Sequence, residues 1–189
     1  MWYTWRKEMR EHMIFLTTER LILRNAAPED ARIMYDYRNN PICARYQRGQ
    51  VKDLEGIAAL IHKHQQDVLS LDSRSLLAVA LRETGDMIGE IMVMPQDGAI
   101  SLGYTFSYKH HRQGYAYEAL SALMELLHSR FPEQEFICFT EAENQASMGL
   151  LLKLGYQDLG FIPKIQSEAF GKWLTPASEA ELRQATLSR

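Results

Sequence analysis

The sequence predicts a single α/β domain of the α+β type, in which helices flank one mixed and mostly antiparallel sheet. Strand-like runs within residues 76–106 are separated by short turns, a pattern typical of an antiparallel meander. A strand, a helix and a second strand follow one another in residues 99–140, and this order implies one parallel pair. With 189 residues, the chain is long enough to bury a sizeable core.

The first third of the chain predicts one strand and two helices. Leu21–Asn25 is an apolar, strand-like run. A helix is expected from Pro28 to about Arg38, because proline suits the first helical turn and the two acidic residues after it favour the positive end of the helix dipole. Apolar residues at helical spacing predict a second helix over residues 53–71.

Three strands joined by tight turns form the predicted meander. Leu76–Leu81 and Met87–Val93 are mostly apolar, and the turn residues of Glu83–Asp86 lie between them. Pro95–Gly98 is the next turn, and Ala99–Phe106 is the third strand.

The helix expected after Gly114 has a clear amphipathic pattern and ends before Pro132. The apolar positions that share its buried face are Ala116, Ala119, Leu120, Leu123 and Leu127. Phe136–Thr140 is continuously apolar, consistent with a strand buried on both faces.

The remaining residues predict two more helices and one more strand. Asn144 is a good N-cap for a helix over residues 145–154, and Gly155 suits the position that follows a helix. A strand is expected over residues 156–162 and a terminal helix over residues 178–187.

A basic turn, Lys109–Gly114, precedes the amphipathic helix and contains no acidic residue. A helix N-terminus exposes N–H groups and the positive end of the dipole, and Gly114 lets a ligand approach the backbone. These features predict an anion site for a phosphate or pyrophosphate, with an ordinary solvated turn as the alternative. Neither G-x-x-x-x-G-K-[ST] nor G-x-G-x-x-G occurs, which argues against a P-loop and a dinucleotide fingerprint.

The composition argues against several classes of function. The net charge of −3 provides no general attraction to nucleic acid or to an anionic membrane. The chain shows no membrane-length apolar run and no signal peptide, and Cys43 and Cys138 suit a reducing compartment, so the cytoplasm is expected. His62 and His64 are two residues apart, so we expect solvated histidines on different helix faces and no metal site.

Five motifs in their order and spacing resemble the GCN5-related N-acetyltransferases (GNAT). They are Thr18–Arg24, Leu102–Tyr104, His111–Ala116, Asn144–Ser147 and Lys153–Tyr156. The branch they are most similar to is that of the RimJ/RimL-type enzymes, which acetylate ribosomal-protein N-termini and related amines. The resemblance implies a GNAT domain over residues 18–175, with an N-terminal helical extension at 1–17 and a C-terminal tail or helix at 176–189.

The resemblance also implies acetyl-CoA as co-substrate, a primary amine as acceptor, direct attack in a ternary complex and no metal. The loop residues expected at the pyrophosphate are His111, Arg112, Gln113, Gly114, Tyr115 and Ala116. The pantetheine arm is expected along the backbone of Tyr104, Phe106 and Tyr108, with an N–H near Phe106 polarising the thioester carbonyl. The sequence departs from the family pattern at His111, where Gln or Arg is usual.

The expected acid follows from the same resemblance. Ser147 is the expected acid that protonates the leaving thiolate, because Leu151 occupies the position where many members carry a tyrosine; a capping serine is the alternative. Asn144 is expected to cap its helix and to contact the pantetheine. Glu90, Glu141 and Glu143 lie near the expected strand ends and are candidate general bases, with an ordinary surface role as the alternative for each. No base is needed if the amine arrives neutral or if water relays the proton.

Two other functions compete with the enzyme. One is a catalytically silent domain that binds or senses acyl-CoA, favoured by Leu151 and by Ser101 where related enzymes often carry an acid. The other is an interaction module that uses an N-terminal helix. The stripe residues of that helix are Trp2, Trp5, Met9 and Met13. Homodimers are common in the RimJ/RimL branch, and no nucleic-acid or membrane partner is expected.

Overall fold

The computed structural model describes residues 13–187, which contain eight strands and six α-helices. The strands are β1 (Ile14–Thr17), β2 (Leu21–Asn25), β3 (Ser75–Leu81), β4 (Met87–Gln96), β5 (Ala99–Phe106), β6 (Glu135–Thr140), β7 (Gln157–Ile162) and β8 (Ser167–Lys172). The helices are α1 (Ala31–Asn39), α2 (Pro41–Ala44), α3 (Leu54–His64), α4 (Tyr115–Arg130), α5 (Gln145–Lys153) and α6 (Pro176–Leu187).

The strands hydrogen-bond in the order β1-β2-β3-β4-β5-β6-β8-β7. β5 and β6, which flank α4, are parallel, whereas β1 with β2, β2 with β3, β6 with β8 and β7 with β8 are antiparallel. The predicted fold class, a mixed and mostly antiparallel sheet flanked by helices, is therefore confirmed.

The chain divides into two compact units. The first comprises the described residues up to Ser70 together with Ser75–Met92 and Tyr104–Gln113. Its core forms where α1 and α3 pack on the sheet. The buried side chains there include Met34, Tyr37, Ile57, Ile61, Leu76 and Ala78. Arg24 joins β2 to the start of α1 through a two-pronged ion pair with Asp30, whose oxygens lie 2.7 and 2.9 Å from the guanidinium nitrogens.

The second unit comprises Leu71–Arg74, Val93–Gly103 and the described residues from Gly114 onward. The apolar face predicted for α4 is mostly buried, with Ala119, Leu120, Leu123 and Leu127 inaccessible and Ala116 partly exposed. A smaller apolar cluster lies under α6. It contains Leu159, Ile162, Ala169, Leu174, Leu182 and Ala185.

Several elements differ from the sequence-based expectation. β8, which the sequence analysis missed, lies between β6 and β7 and pairs with both. Its glycine and glutamate make it a poor strand by local propensity, so its conformation depends on pairing with distant residues. The segment Ile14–Thr17 is strand β1 rather than helix, because it pairs with β2. The stripe residues Trp2, Trp5 and Met9 lie outside the described residues, and the 18–175 domain boundaries stay a prediction.

The second predicted helix is shorter than expected and one of its histidines is buried. α3 ends at His64 instead of residue 71. The expectation of two solvated histidines was wrong for His64, which is buried and lies 2.8 Å from a carboxylate oxygen of Asp67. That oxygen also accepts the Leu76 N–H at 2.8 Å, so Asp67 and His64 link the end of α3 to β3.

We expect Glu135 to make the fold sensitive to acid. Burial acts to raise the pKa of Glu135, but hydrogen bonds from Thr175 and Ser178 outweigh it and hold the pKa below its ordinary value of 4.5. The ionised carboxylate therefore stabilises the folded state above that value, and this contribution is lost as the pH falls through the lowered pKa. Glu135→Gln should cost about 1–3 kcal/mol at pH 7 and less near pH 3, measured by urea unfolding at both pH values.

The exposed neighbour Glu133 provides the control for this measurement. Glu133→Gln should leave the unfolding free energy within about 0.5 kcal/mol of the wild-type value at either pH. Equal effects of the two substitutions would contradict the role assigned to Glu135.

Candidate functional site

The basic turn before α4 has an unusual backbone. Arg112 has a φ of 61° and Gly114 a φ of 82°, so the turn contains two left-handed residues with Gln113 between them. Left-handed conformations are uncommon for residues other than glycine and cluster at functional sites. Successive N–H groups in such a turn converge on one side and form an anion-binding concavity. The turn is exposed from His111 through Gly114.

The helix that follows begins directly at this turn. α4 begins directly after Gly114, and the Glu118 N–H donates to the Gly114 carbonyl at 3.0 Å to close the first helical turn. The preceding N–H groups of a helix have no intrahelical acceptor and point toward its N-terminal end, where the dipole is positive. The arrangement therefore suits a phosphate or pyrophosphate chemically.

Side chains hold the turn in place. The His111 Nε2 donates to the Phe106 carbonyl at 2.9 Å, and the Gln113 side chain donates to the Lys109 carbonyl at 3.3 Å. Lys109 forms an exposed ion pair with Asp36 of α1 at 2.8 Å. The His111 ring is therefore directed back onto the turn, and its predicted contribution to an anion site would come from its backbone.

The end of β5 contacts residues that the sequence analysis did not single out. The Tyr104 carbonyl accepts from Gln47 Nε2 at 3.2 Å, and the Phe106 carbonyl accepts from Cys43 Sγ at 3.3 Å as well as from His111. A carbonyl oxygen has two acceptor lone pairs, so that of Phe106 is fully used by these two donors.

β4 approaches this part of β5 closely. The Ser107 N–H donates to the Ile88 carbonyl at 2.8 Å. A Cβ at Gly89 would lie 2.7 Å from the Thr105 carbonyl oxygen, so only glycine fits there. The Ser107 N–H is therefore committed to β4 and is not the donor expected near Phe106 for a thioester oxygen.

Within the second unit, β5 and β6 separate soon after they begin. They pair at Ala99 with Glu135 and at Ile100 with Phe136, and no later pair is registered in the described chain. Past that point, Cys138 Sγ lies 3.8 Å from the Leu102 carbonyl oxygen. Burial raises the pKa of the Cys138 thiol, which is therefore a neutral, packed side chain.

The three predicted residues after β6 form a capped helix start. Asn144 is the N-cap of α5, as predicted: its side-chain oxygen accepts the Ser147 N–H at 3.2 Å. The Asn144 N–H in turn donates to the Glu141 carbonyl at 2.9 Å. Glu141 and Ser147 are half-buried. Because the cap uses the Ser147 backbone, its hydroxyl is not the capping group.

Glu90, one of the alternative bases, belongs to a buried polar network. Its carboxylate accepts from Arg38 Nη2 at 2.7 Å, from Arg38 Nε at 2.9 Å and from the Tyr37 hydroxyl at 3.1 Å. Burial raises the pKa of Glu90, and the adjacent Arg38 opposes that rise. Since the ion pair already occupies the carboxylate, we interpret Glu90 as a structural residue that joins α1 to β4.

The predicted site residues are divided between the two units. The first unit contains Tyr104, Phe106, Tyr108, His111, Arg112 and Gln113. The second contains Gly114, Tyr115, Ala116, Glu141, Asn144 and Ser147. Residues 13–187 contain no group of three His, Cys, Asp or Glu side chains arranged to hold a metal. No helix in that same range is long and apolar enough to cross a membrane.

The sequence is similar to known proteins over most of its length. Residues 20–157 match the family model described as an acetyltransferase (GNAT) domain. The uncharacterized N-acetyltransferase YnaD of Bacillus subtilis (strain 168) is 26% identical over 151 residues, covering 79% of this chain and 86% of YnaD.

Solved structures show the same fold at low sequence identity. An acetyltransferase of Salmonella typhimurium that modifies the N-terminal serine of ribosomal protein L7/L12 superposes with a TM-score of 0.71 at 16% identity, covering 86% of this chain and 100% of that chain. The microcin C7 self-immunity acetyltransferase MccE, solved with acetyl-CoA and AMP, gives a TM-score of 0.70 at 14% identity, covering 82% of this chain and 93% of MccE.

Proposed function

Because this chain belongs to the GNAT acetyltransferase family, we propose that it moves an acetyl group from acetyl-CoA to a primary amine by direct attack in a ternary complex. The acceptor class proposed is a protein N-terminus or a small-molecule amine. The observation that carries the proposal is the turn at residues 111–114, with its two left-handed residues and the N-terminus of α4 directly behind it. MccE, which has the same fold, was solved with acetyl-CoA, and this supports the choice of co-substrate.

In this proposal the turn binds the pyrophosphate and the end of β5 binds the pantetheine. The N–H groups of Arg112, Gln113 and Gly114 and those that begin α4 surround the phosphate oxygens. One pantetheine amide pairs with the backbone near Tyr104, as an added strand would pair with the end of β5. The Phe106 carbonyl takes no part, because it already accepts two donors.

The chemical step requires one nucleophile and two proton transfers. The neutral amine nitrogen attacks the thioester carbonyl carbon, and the C–S bond breaks as the amide forms. Ser147 Oγ–H gives a proton to the departing thiolate, and Glu141 accepts the proton that the amine nitrogen loses. Transfer of that proton from Glu141 to Ser147 through water then restores both groups. Asn144 holds the α5 terminus that carries Ser147. Overall, acetyl-CoA and the amine give CoA and an N-acetyl amine.

Calorimetric titration with acetyl-CoA, and then with CoA, tests the proposal. Micromolar binding at one site per chain is expected. A panel of amines, including peptides with different N-terminal residues, should then release free thiol in the presence of acetyl-CoA. Absence of binding to either ligand would overturn the proposed function, and binding without turnover across the panel would favour the silent acyl-CoA-binding alternative.

Replacing Ser147 with alanine should slow the chemical step and leave binding intact. Loss of a general acid typically costs about 100-fold in rate, and the alanine variant keeps the backbone N–H that caps α5. We therefore expect kcat to fall about 100-fold with an unchanged Kd for acetyl-CoA and an unchanged melting temperature. An unchanged kcat would leave Ser147 as an ordinary helix residue.

A further inference from the structure

Arg20, the residue immediately before β2, contacts the turn from a distant part of the chain. It lies in the Thr18–Arg24 motif, whose other arginine, Arg24, has a structural partner in Asp30. The Arg20 Nη1 donates to the Gln113 carbonyl oxygen at 3.0 Å, across 93 residues of sequence. The contact joins this motif to the turn that the proposed function assigns to the pyrophosphate.

The Gln113 carbonyl that Arg20 bonds belongs to the same peptide as the Gly114 N–H, a proposed donor to the pyrophosphate. A trans peptide is planar, so the Gln113 carbonyl and the Gly114 N–H point in opposite directions. Glycine tolerates positive and negative φ about equally, so sequence alone leaves the orientation of this peptide open. Because Arg20 bonds the Gln113 carbonyl, that carbonyl points toward the guanidinium. Arg20 thereby selects the orientation in which the Gly114 N–H points away from the guanidinium.

Arg20 also differs from the other side chains that hold the turn. His111 and Gln113 bond within the turn and its immediate approach. The Lys109–Asp36 ion pair does connect the turn to another element, α1, but it lies several residues before Gly114. Arg20, in contrast, comes from a distant part of the chain and bonds the Gln113–Gly114 peptide, which directly precedes α4. A cationic donor on a carbonyl also polarises that peptide, which strengthens the N–H at its other end as a donor.

We propose that Arg20 is a positioning residue that orients the Gln113–Gly114 peptide so that the Gly114 N–H binds the pyrophosphate of the acetyl-CoA co-substrate. This inference rests on the proposed function for its ligand, but the orientation of the peptide is testable in the free protein. Arg20 acts through the backbone and does not itself bind a phosphate.

The experiment compares Arg20→Ala and Arg20→Lys with the control Arg82→Ala. Arg82 is an exposed arginine in the same corner, whose Nη1 lies 3.5 Å from the Thr18 carbonyl oxygen and whose N–H donates to the Arg20 carbonyl. Amide hydrogen exchange of the peptide spanning residues 107–116 is measured without ligand. Calorimetry then gives the Kd for CoA and for 3′-dephospho-CoA, which lacks the 3′-phosphate but keeps the pyrophosphate.

Arg20→Ala should speed exchange in residues 107–116 and raise the Kd about three- to tenfold, the range expected for one exposed charge-assisted hydrogen bond. The increase should be equal for CoA and 3′-dephospho-CoA. Arg20→Lys, which keeps a cationic donor, should recover part of the loss, and Arg82→Ala should match the wild type.

Three results would overturn the inference. The first is unchanged exchange in Arg20→Ala. The second is faster exchange with an unchanged Kd. The third is a loss confined to CoA, which would make Arg20 a direct ligand of the 3′-phosphate. Failure of the wild-type protein to bind CoA is a separate result, which refutes the proposed function rather than the exchange prediction.

Discussion

Gly114→Val should reduce acetyl-CoA affinity by at least about 100-fold while the protein stays folded. Valine is strongly disfavoured at a φ of 82°, so the turn would adopt a negative φ and the N–H groups would no longer converge. Losing two charge-assisted hydrogen bonds to the pyrophosphate is enough for an effect of this size. Calorimetry with acetyl-CoA and circular dichroism on the same sample measure the two quantities.

Gly98→Val is the matched control for this substitution. Gly98 has a φ of 84° in the turn between β4 and β5, and a Cβ there would meet nothing within 4 Å. The two variants therefore impose the same kind of backbone strain, but only Gly114 adjoins the proposed pyrophosphate site. If Gly114→Val binds acetyl-CoA as tightly as Gly98→Val does, residues 111–116 are not the cofactor loop.

Arg38→Met should be severely destabilising, by about 3–5 kcal/mol, because it leaves Glu90 charged and buried without its partner. Arg38 and Glu90 are only 4% and 3% exposed, so water cannot replace the lost hydrogen bonds. Burial already raises the pKa of Glu90, and without Arg38 only the hydrogen bond from Tyr37 still opposes it, so the pKa rises further. A raised carboxyl pKa means that the protonated form favours folding, so the loss should be smaller at pH 5 than at pH 8.

Urea unfolding at the two pH values measures this effect. Two further variants are measured for comparison. Arg32→Met replaces an exposed arginine of the same helix and should change the unfolding free energy by less than about 0.5 kcal/mol. Arg38→Met combined with Glu90→Gln removes both charges and should be more stable than Arg38→Met alone. A cost below about 1 kcal/mol for Arg38→Met would show that the ion pair contributes little to the fold.

Local patterns were sufficient to predict the main elements of the fold and one part of the site. The amphipathic spacing of α4, the N-cap at Asn144 and the strand–helix–strand order around α4 each depend on residues close in sequence. The basic turn that ends in Gly114 was visible for the same reason, since a glycine before an amphipathic helix is a local signal.

Other features have no local signal. β8 has weak strand propensity and is held by pairing with β6 and β7, so only the assembled sheet reveals it. His64 is buried because Asp67 binds it where α3 meets β3, which the polar character of a histidine does not predict. The structural role of Glu90 depends on Arg38, more than fifty residues earlier in the chain.

The sequence by itself determined the order of helices and strands, the family resemblance and the position of the basic turn, because these arise from spacing and capping over a few residues. Only the tertiary structure decided how that turn is held and which acidic residues are already paired. Arg20 reaches Gln113, and Arg38 reaches Glu90, through hydrogen bonds between segments that only folding brings together. Such contacts depend on distances in space, and the order of residues along the chain does not encode them locally.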